Sequence, residues 1–269
     1  MIRPAENVVS KMVKNILNEF QKGLRSKGSR LYILGILVLC VLANTAVVAF
    51  RTVYGSNEGT FVYNILTYAT WCFYIPYYTC IIISDIVFGR EYPSRENNAC
   101  LKEGLNPVSA YLVKLFASIL LAFVFMLVTI VVFFSVTELF HMSEGSSMLS
   151  EILDFLEKML FAIPLWLAGI GMGNMFLFMF DKKPRAYAAY FLVTVVLERG
   201  IMLLAAEPFK LKLFRFLRTF TVTQQFSLIP YPADPARNIP LTVFLGFFYL
   251  ILSTCAGIYC FSRRIGKPD

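Results

Sequence analysis

Six apolar runs, each long enough to cross a bilayer, leave this chain few folds to choose from. They cover residues 31–50, 61–88, 111–136, 159–180, 186–206 and 241–261. A helix needs about 20 apolar residues to span roughly 30 Å of hydrocarbon. Hydrocarbon offers no hydrogen bonds, so a backbone crossing it must satisfy its own, and runs of this length become helices. Composition agrees. The 269 residues are 58% hydrophobic and 16% charged, against roughly 45–50% and about 25% in soluble domains. The first run starts 30 residues in and exceeds the roughly 7–15-residue core of a signal peptide, so it reads as a retained helix. The expected fold is an all-α integral membrane protein with six transmembrane helices.

The net charge of +8 invites a nucleic-acid reading, but in a membrane chain basic residues report topology. With the N-terminus inside, the inner segments are 1–30, 89–114, 181–185 and 262–269. They hold 7, 4, 3 and 3 of the 25 lysines and arginines, a clear majority. This bias puts both termini in the cytoplasm and leaves no need for a nucleic-acid partner. One segment objects: Lys210, Lys212, Arg215 and Arg218 fall outside in that scheme.

Residues 1–30 form a cytoplasmic tail with an amphipathic helix. Val8, Val9, Met12, Val13, Ile16, Leu17, Phe20 and Leu24 recur at helical spacing, and Lys11, Lys14, Lys22 and Arg25 occupy much of the other side. A basic amphipathic helix beside a span is suited to the lipid interface, or to a protein partner. Residues 31–269 then make one transmembrane domain. Within it, 138–158 is an outer segment with a short helix expected near 151–158, and 207–240 is a long mixed outer segment.

Several chemistries are excluded or weak. The chain has one histidine, His141, so a multi-histidine metal site is out. The six cysteines, Cys40, Cys72, Cys80, Cys100, Cys255 and Cys260, form no CxxC pair. There is no GxxxxGK[ST] phosphate loop, no GxSxG and no HExxH. Gly169-Ile-Gly-Met-Gly173 lies inside a span and follows no strand, so it is read as small residues for close helix packing.

Two features within the spans point to function. Glu198 and Arg199 sit in the fifth run, where a mid-bilayer charge costs about 2.5–3.5 kcal/mol. Either they line a pathway or pair between helices, or the helix stops near Leu197 and they reach the outer interface. The second run carries Asn64, Thr67, Tyr68, Trp71, Tyr74 and Tyr78 along one side. That stripe suits either a route for an amphipathic substrate or a packed face with satisfied hydroxyls. The candidate pathway residues are therefore Tyr68, Trp71, Tyr74, Tyr78, Glu198 and Arg199.

Between the second and third runs lies a polar, turn-rich stretch, REYPSRENNACLKEGLNPVSAYLVK, over residues 90–114. Pro93 and Asn106-Pro107 bracket a short charged helix. Lys114 then opens the third span and is expected to snorkel to the interface. In form this is a docking element or a plain connector.

This stretch resembles the inner loop of the permease subunit of type-2 ABC exporters, the ABC-2 permeases. The resemblance rests on Glu91, Glu96, Leu105, Pro107, Ser109, Tyr111 and Lys114. Asn97-Asn98-Ala99 stands where that family often shows Gly-Thr. The wider likeness covers the amphipathic N-terminal helix, six spans, inner termini and a long outer segment before the last span. It implies a cytoplasmic coupling loop over 90–110, with Glu91, Arg95, Glu96, Lys102 and Glu103 meeting a separate ATPase subunit. It also implies a re-entrant segment within 207–240, a second permease as homodimer or heterodimer, and a bacterial plasma membrane. No cofactor would bind this chain directly, since ATP and magnesium would sit in the partner ATPase. The residues leave other readings open: an intramembrane enzyme, a non-transporting scaffold or immunity protein, and a small secondary transporter.

Overall fold

A computed structural model describes residues 8–54, 61–88, 106–141, 149–206, 209, 211–231, 234 and 236–265. All regular structure in them is helical. The helices are α1 (Val8–Leu24), α2 (Lys27–Tyr54), α3 (Phe61–Trp71), α4 (Tyr74–Phe88), α5 (Pro107–His141) and α6 (Leu149–Met179). After these come α7 (Lys183–Ala205), α8 (Lys212–Arg218), α9 (Val222–Leu228) and α10 (Ile239–Ile265). Five of these are long and apolar enough to cross a membrane: α2, α5, α6, α7 and α10. α3 and α4 meet that test only as a pair, bent by 59° at their junction.

The second apolar run is thus a broken helix rather than the continuous one expected. Pro76 explains the break: it has no N–H and its ring clashes with the carbonyl four residues back. At the break Cys72 O accepts from Ile75 N at 2.9 Å, and Trp166 Nε1 of α6 donates to Phe73 O at 2.8 Å. The helix expected near 151–158 is no separate element; it is the first part of α6, continuous with the span.

α6 is the centre of the bundle. About 67% of its spanning window is buried, against 17–28% in the other four spans. α4 and α10 pack along it most extensively, and α3, α7 and α5 complete the ring. Lipid supplies little hydrophobic drive between helices, so close van der Waals approach must hold them together. Glycine permits that approach. A Cβ on Gly169 would stand 2.8 Å from Tyr77, and one on Gly173 would stand 3.0 Å from the Ile81 backbone, both on α4. On α10, a Cβ at Gly246 would meet the Pro164 carbonyl carbon at 2.5 Å. The Gly246→Leu variant must push α10 off α6, and overpacking of this kind costs about 1–3 kcal/mol. A lower Tm in detergent is the expected result; an unchanged Tm would contradict the packing.

α1 docks across α4 and α5 at one end of the bundle, called here the α1 end. Its polar edge faces inward: Asn15 and Glu19 are buried, while Val13, Leu17 and Leu24 are exposed. Phe20 joins a small cluster of Ile83, Val87, Ala117, Leu121 and Phe125. Lys114 does not snorkel. It is 1% exposed, pairs with Glu19 and donates to Val87 O at 3.3 Å. α5 starts at this same end, and the described part of α4 stops there. One lysine therefore fastens α1, α4 and α5 together.

Candidate functional site

The candidate site forms where α4, α7 and α9 meet. α7 brings its charges there through an irregular turn. Residues Leu192–Leu197 are π-helical, between α-helical Lys183–Phe191 and Glu198–Ala205. The β-branched run Val193-Thr194-Val195-Val196 lies in this segment, and such residues favour helix less than straight-chain ones. A π turn inserts one residue and rotates the remainder of the helix by about 100°. Before it, Tyr187 donates to Asp85 at 3.1 Å and Tyr190 to the Tyr77 carbonyl, both on α4. After it, Glu198 reaches the next partners along.

Glu198 is 7% exposed. Its Oε1 accepts from the Tyr77 hydroxyl at 2.9 Å. Its Oε2 accepts from the Thr223 backbone N–H at 2.7 Å and from the Thr223 hydroxyl. Three donors from two elements thus converge on one carboxylate. A buried charge is tolerated when it is hydrogen-bonded in this way. The helix does not stop near Leu197, since α7 continues to Ala205.

α9 is positioned for this contact. Thr221 is its N-cap, accepting from Gln224 N at 3.3 Å. Val222, Thr223, Gln224, Gln225, Phe226 and Leu228 are all buried. Gln225 accepts from Thr242 of α10 at 2.7 Å and donates to Thr219 O at 2.6 Å. Arg218 donates to Gln224 at 2.6 Å, and Tyr249 of α10 donates to Phe220 O at 2.9 Å. The described part of the chain between α7 and α10 thus holds two short helices, and α9 packs against α4, α6, α7 and α10.

Arg199 turns to different partners. Its Nε donates to the Tyr78 hydroxyl at 3.3 Å, and its guanidinium lies 5.2 Å from the centre of the Tyr74 ring. Adjacent helical residues point about 100° apart, so the acid and the base do not face one partner.

The candidate pathway residues thus fall into two groups at the α3–α4 bend. Tyr68 and Trp71 contact edge to face at 5.5 Å, and Trp71 stacks on Tyr231 at 6.4 Å. Tyr74 and Tyr78, 5.6 Å apart, lie beyond the bend with Arg199. Thr67 belongs elsewhere. It lines a cavity of roughly 230 Å³ between α3 and the start of α6, whose Asp154 and Lys158 pair at 2.5 Å. Among the described residues no cluster of three His, Cys, Asp or Glu side chains is arranged to hold a metal. Glu91, Arg95, Glu96, Lys102 and Glu103 lie outside the described residues.

Three site residues escape sequence pattern: Tyr77, Tyr190 and Thr223. Tyr77 sits off the Tyr74–Tyr78 stripe, so the stripe conceals it. Thr221 had a signal, because Thr221-Val-Thr-Gln224 has the spacing of a capping box. Compared with known proteins, the chain matches no protein-family model and no curated sequence.

Proposed function

We propose that this chain is the permease subunit of an ATP-binding-cassette exporter. It forms the substrate route, and separate ATPase subunits docking on the inner loops drive it. One observation carries the reading: α9, from the segment between α7 and α10, is buried against α4, α6, α7 and α10. That is the arrangement the resemblance calls for, with α8 and α9 as the re-entrant pair and α3–α4 as the sixth, broken span. The amphipathic α1 docked beside a span supports the same reading.

The α1 end is the cytoplasmic end in this account. α1 itself, the described end of α4, the start of α5, Lys183 and the end of α10 with Arg263 gather there, and basic residues favour that side. The basic α8 does not count against this, because a segment folded onto the bundle is not a simple translocated loop. The link from α4 to α5 then receives force from ATP-driven closure of the partner subunits. Lys114 passes that force to α1 and α4 together.

Charge reversal in the link tests the reading. The double variant Glu96→Lys with Glu103→Lys is expected to insert normally and to uncouple ATP hydrolysis from transport. Transport at the level of the unaltered chain would remove these side chains from the coupling role. Ion-driven movement that needs no ATP would overturn the exporter reading itself.

A further inference from the structure

Arg199 is a cation with an unfilled coordination sphere inside a spanning helix. Its Nε is used by Tyr78 and its face by Tyr74. Among the described residues, its two terminal nitrogens meet no acceptor and no carboxylate stands at ion-pair distance. Glu198 attracts it through space, but the Glu198 oxygens are directed at Tyr77 and Thr223 instead. The arginine keeps its charge at any working pH. A spanning helix that retains an arginine with no carboxylate in contact carries a cost, and residues of this kind mark sites for ligands.

The surroundings give the ligand room and character. A Cβ added to Gly200, the next residue, would meet nothing within 4 Å. Tyr74 and Tyr78 hold the guanidinium in place at α4. Tyr68, Trp71 and Tyr231 form a second aromatic group on the other side of the bend, and all three are exposed. An exposed aromatic surface next to a fixed fork of donors fits a molecule with an apolar body and an oxyanion head.

We infer that Arg199, with Tyr74 and Tyr78, binds the carboxylate or phosphate head of an anionic amphiphile on the α4–α7 face. The inference rests on the permease reading for its meaning, since it gives the substrate class of that pathway. Its test does not require the ATPase. Failure of an ATPase to co-purify would sink the permease reading and leave a binding result intact; absence of binding would do the reverse.

The test is calorimetric titration of the purified chain in neutral detergent. Dodecyl phosphate is expected to bind saturably at one site per chain, and dodecyltrimethylammonium is expected not to bind. Arg199→Gln should weaken dodecyl phosphate about tenfold or more, as expected for loss of a charge-assisted hydrogen bond. Arg199→Lys should fall between, because a lysine keeps the charge and loses the fork. Arg215→Gln, on exposed α8, should change nothing and so controls for general charge attraction. Competition by inorganic phosphate would assign recognition to the head alone. Binding of dodecyl phosphate without such competition would assign it to the whole amphiphile. Equal binding of the cationic amphiphile, no saturable binding, or undiminished binding by a folded Arg199→Gln protein overturns the inference. Should that variant not fold, undiminished affinity in Arg199→Lys overturns it instead.

Discussion

Replacing Glu198 with leucine is expected to release α9 from the bundle. The substitution leaves the Tyr77 hydroxyl, the Thr223 hydroxyl and the Thr223 N–H without their shared acceptor. Measured side-chain hydrogen bonds between membrane helices average about 0.6 kcal/mol and reach about 1.7. Three donors therefore place the loss at roughly 2–5 kcal/mol. Hydrogen exchange should quicken in Val222–Leu228, while α6 and α10 keep their protection. Thr223→Val removes one donor of the three and should produce a smaller effect. The two changes should not add, because they act on one network. Unchanged protection of α9 in Glu198→Leu would show that packing of Phe226 and its neighbours, not the carboxylate, holds it.

The second large effect concerns the pair between α1 and α5. Lys114 and Glu19 are both nearly inaccessible, at 1% and 3% exposed. Removing one partner from a buried pair costs about 3–5 kcal/mol when the other charge is stranded, and without Lys114 only the largely exposed Lys22, at 2.8 Å, is left to meet Glu19. Lys114→Met should therefore lower Tm sharply and loosen α1. Replacing both, as Glu19→Leu with Lys114→Met, should recover much of the loss, since replacing a whole buried pair with apolar groups is often neutral. A double variant no better than the single one would contradict a stranded charge as the cause.

Acidity gives an independent handle on the same pair. Burial pushes the Glu19 carboxyl up, but Lys114, followed by Lys22 at 2.8 Å, outweighs it and holds it below its ordinary value of 4.5. A carboxyl whose value is lower folded than unfolded stabilises the fold fully above the unfolded value. It loses that contribution as pH falls through the folded one. The Tm of the unaltered protein should therefore fall below about pH 4.5, and the Glu19→Leu, Lys114→Met protein should lose less over the same interval. Parallel curves would place the acid sensitivity elsewhere.

How far these contacts could be read in advance depended on range. Five candidate spans were legible because 20 apolar residues in a row have few alternatives in lipid. The amphipathic α1 was legible from its period, and Gly169 and Gly173 from their spacing. Pro76 was present to announce the break in the second span, but the apolar run continues across it and the two halves read as one. Lys114 illustrates the limit. Its place at the start of a span predicts snorkelling, and only the docking of Glu19, 95 residues earlier, makes burial the better solution. Glu198 and Arg199 stood out as charges in a span. Their partners did not, since Thr223 comes from a short helix 25 residues further on and the π turn before Glu198 sets which way each side chain points. Local pattern marked the residues; long-range packing chose their contacts.

The proposed exporter would need ATPase subunits carried on separate chains. Gentle detergent extraction from native membranes, followed by native mass spectrometry, tests it most directly. The account predicts an assembly of two permeases with two ATP-binding subunits. A stable assembly without any ATPase, found again after mild crosslinking, would contradict it and favour a scaffold or an intramembrane enzyme.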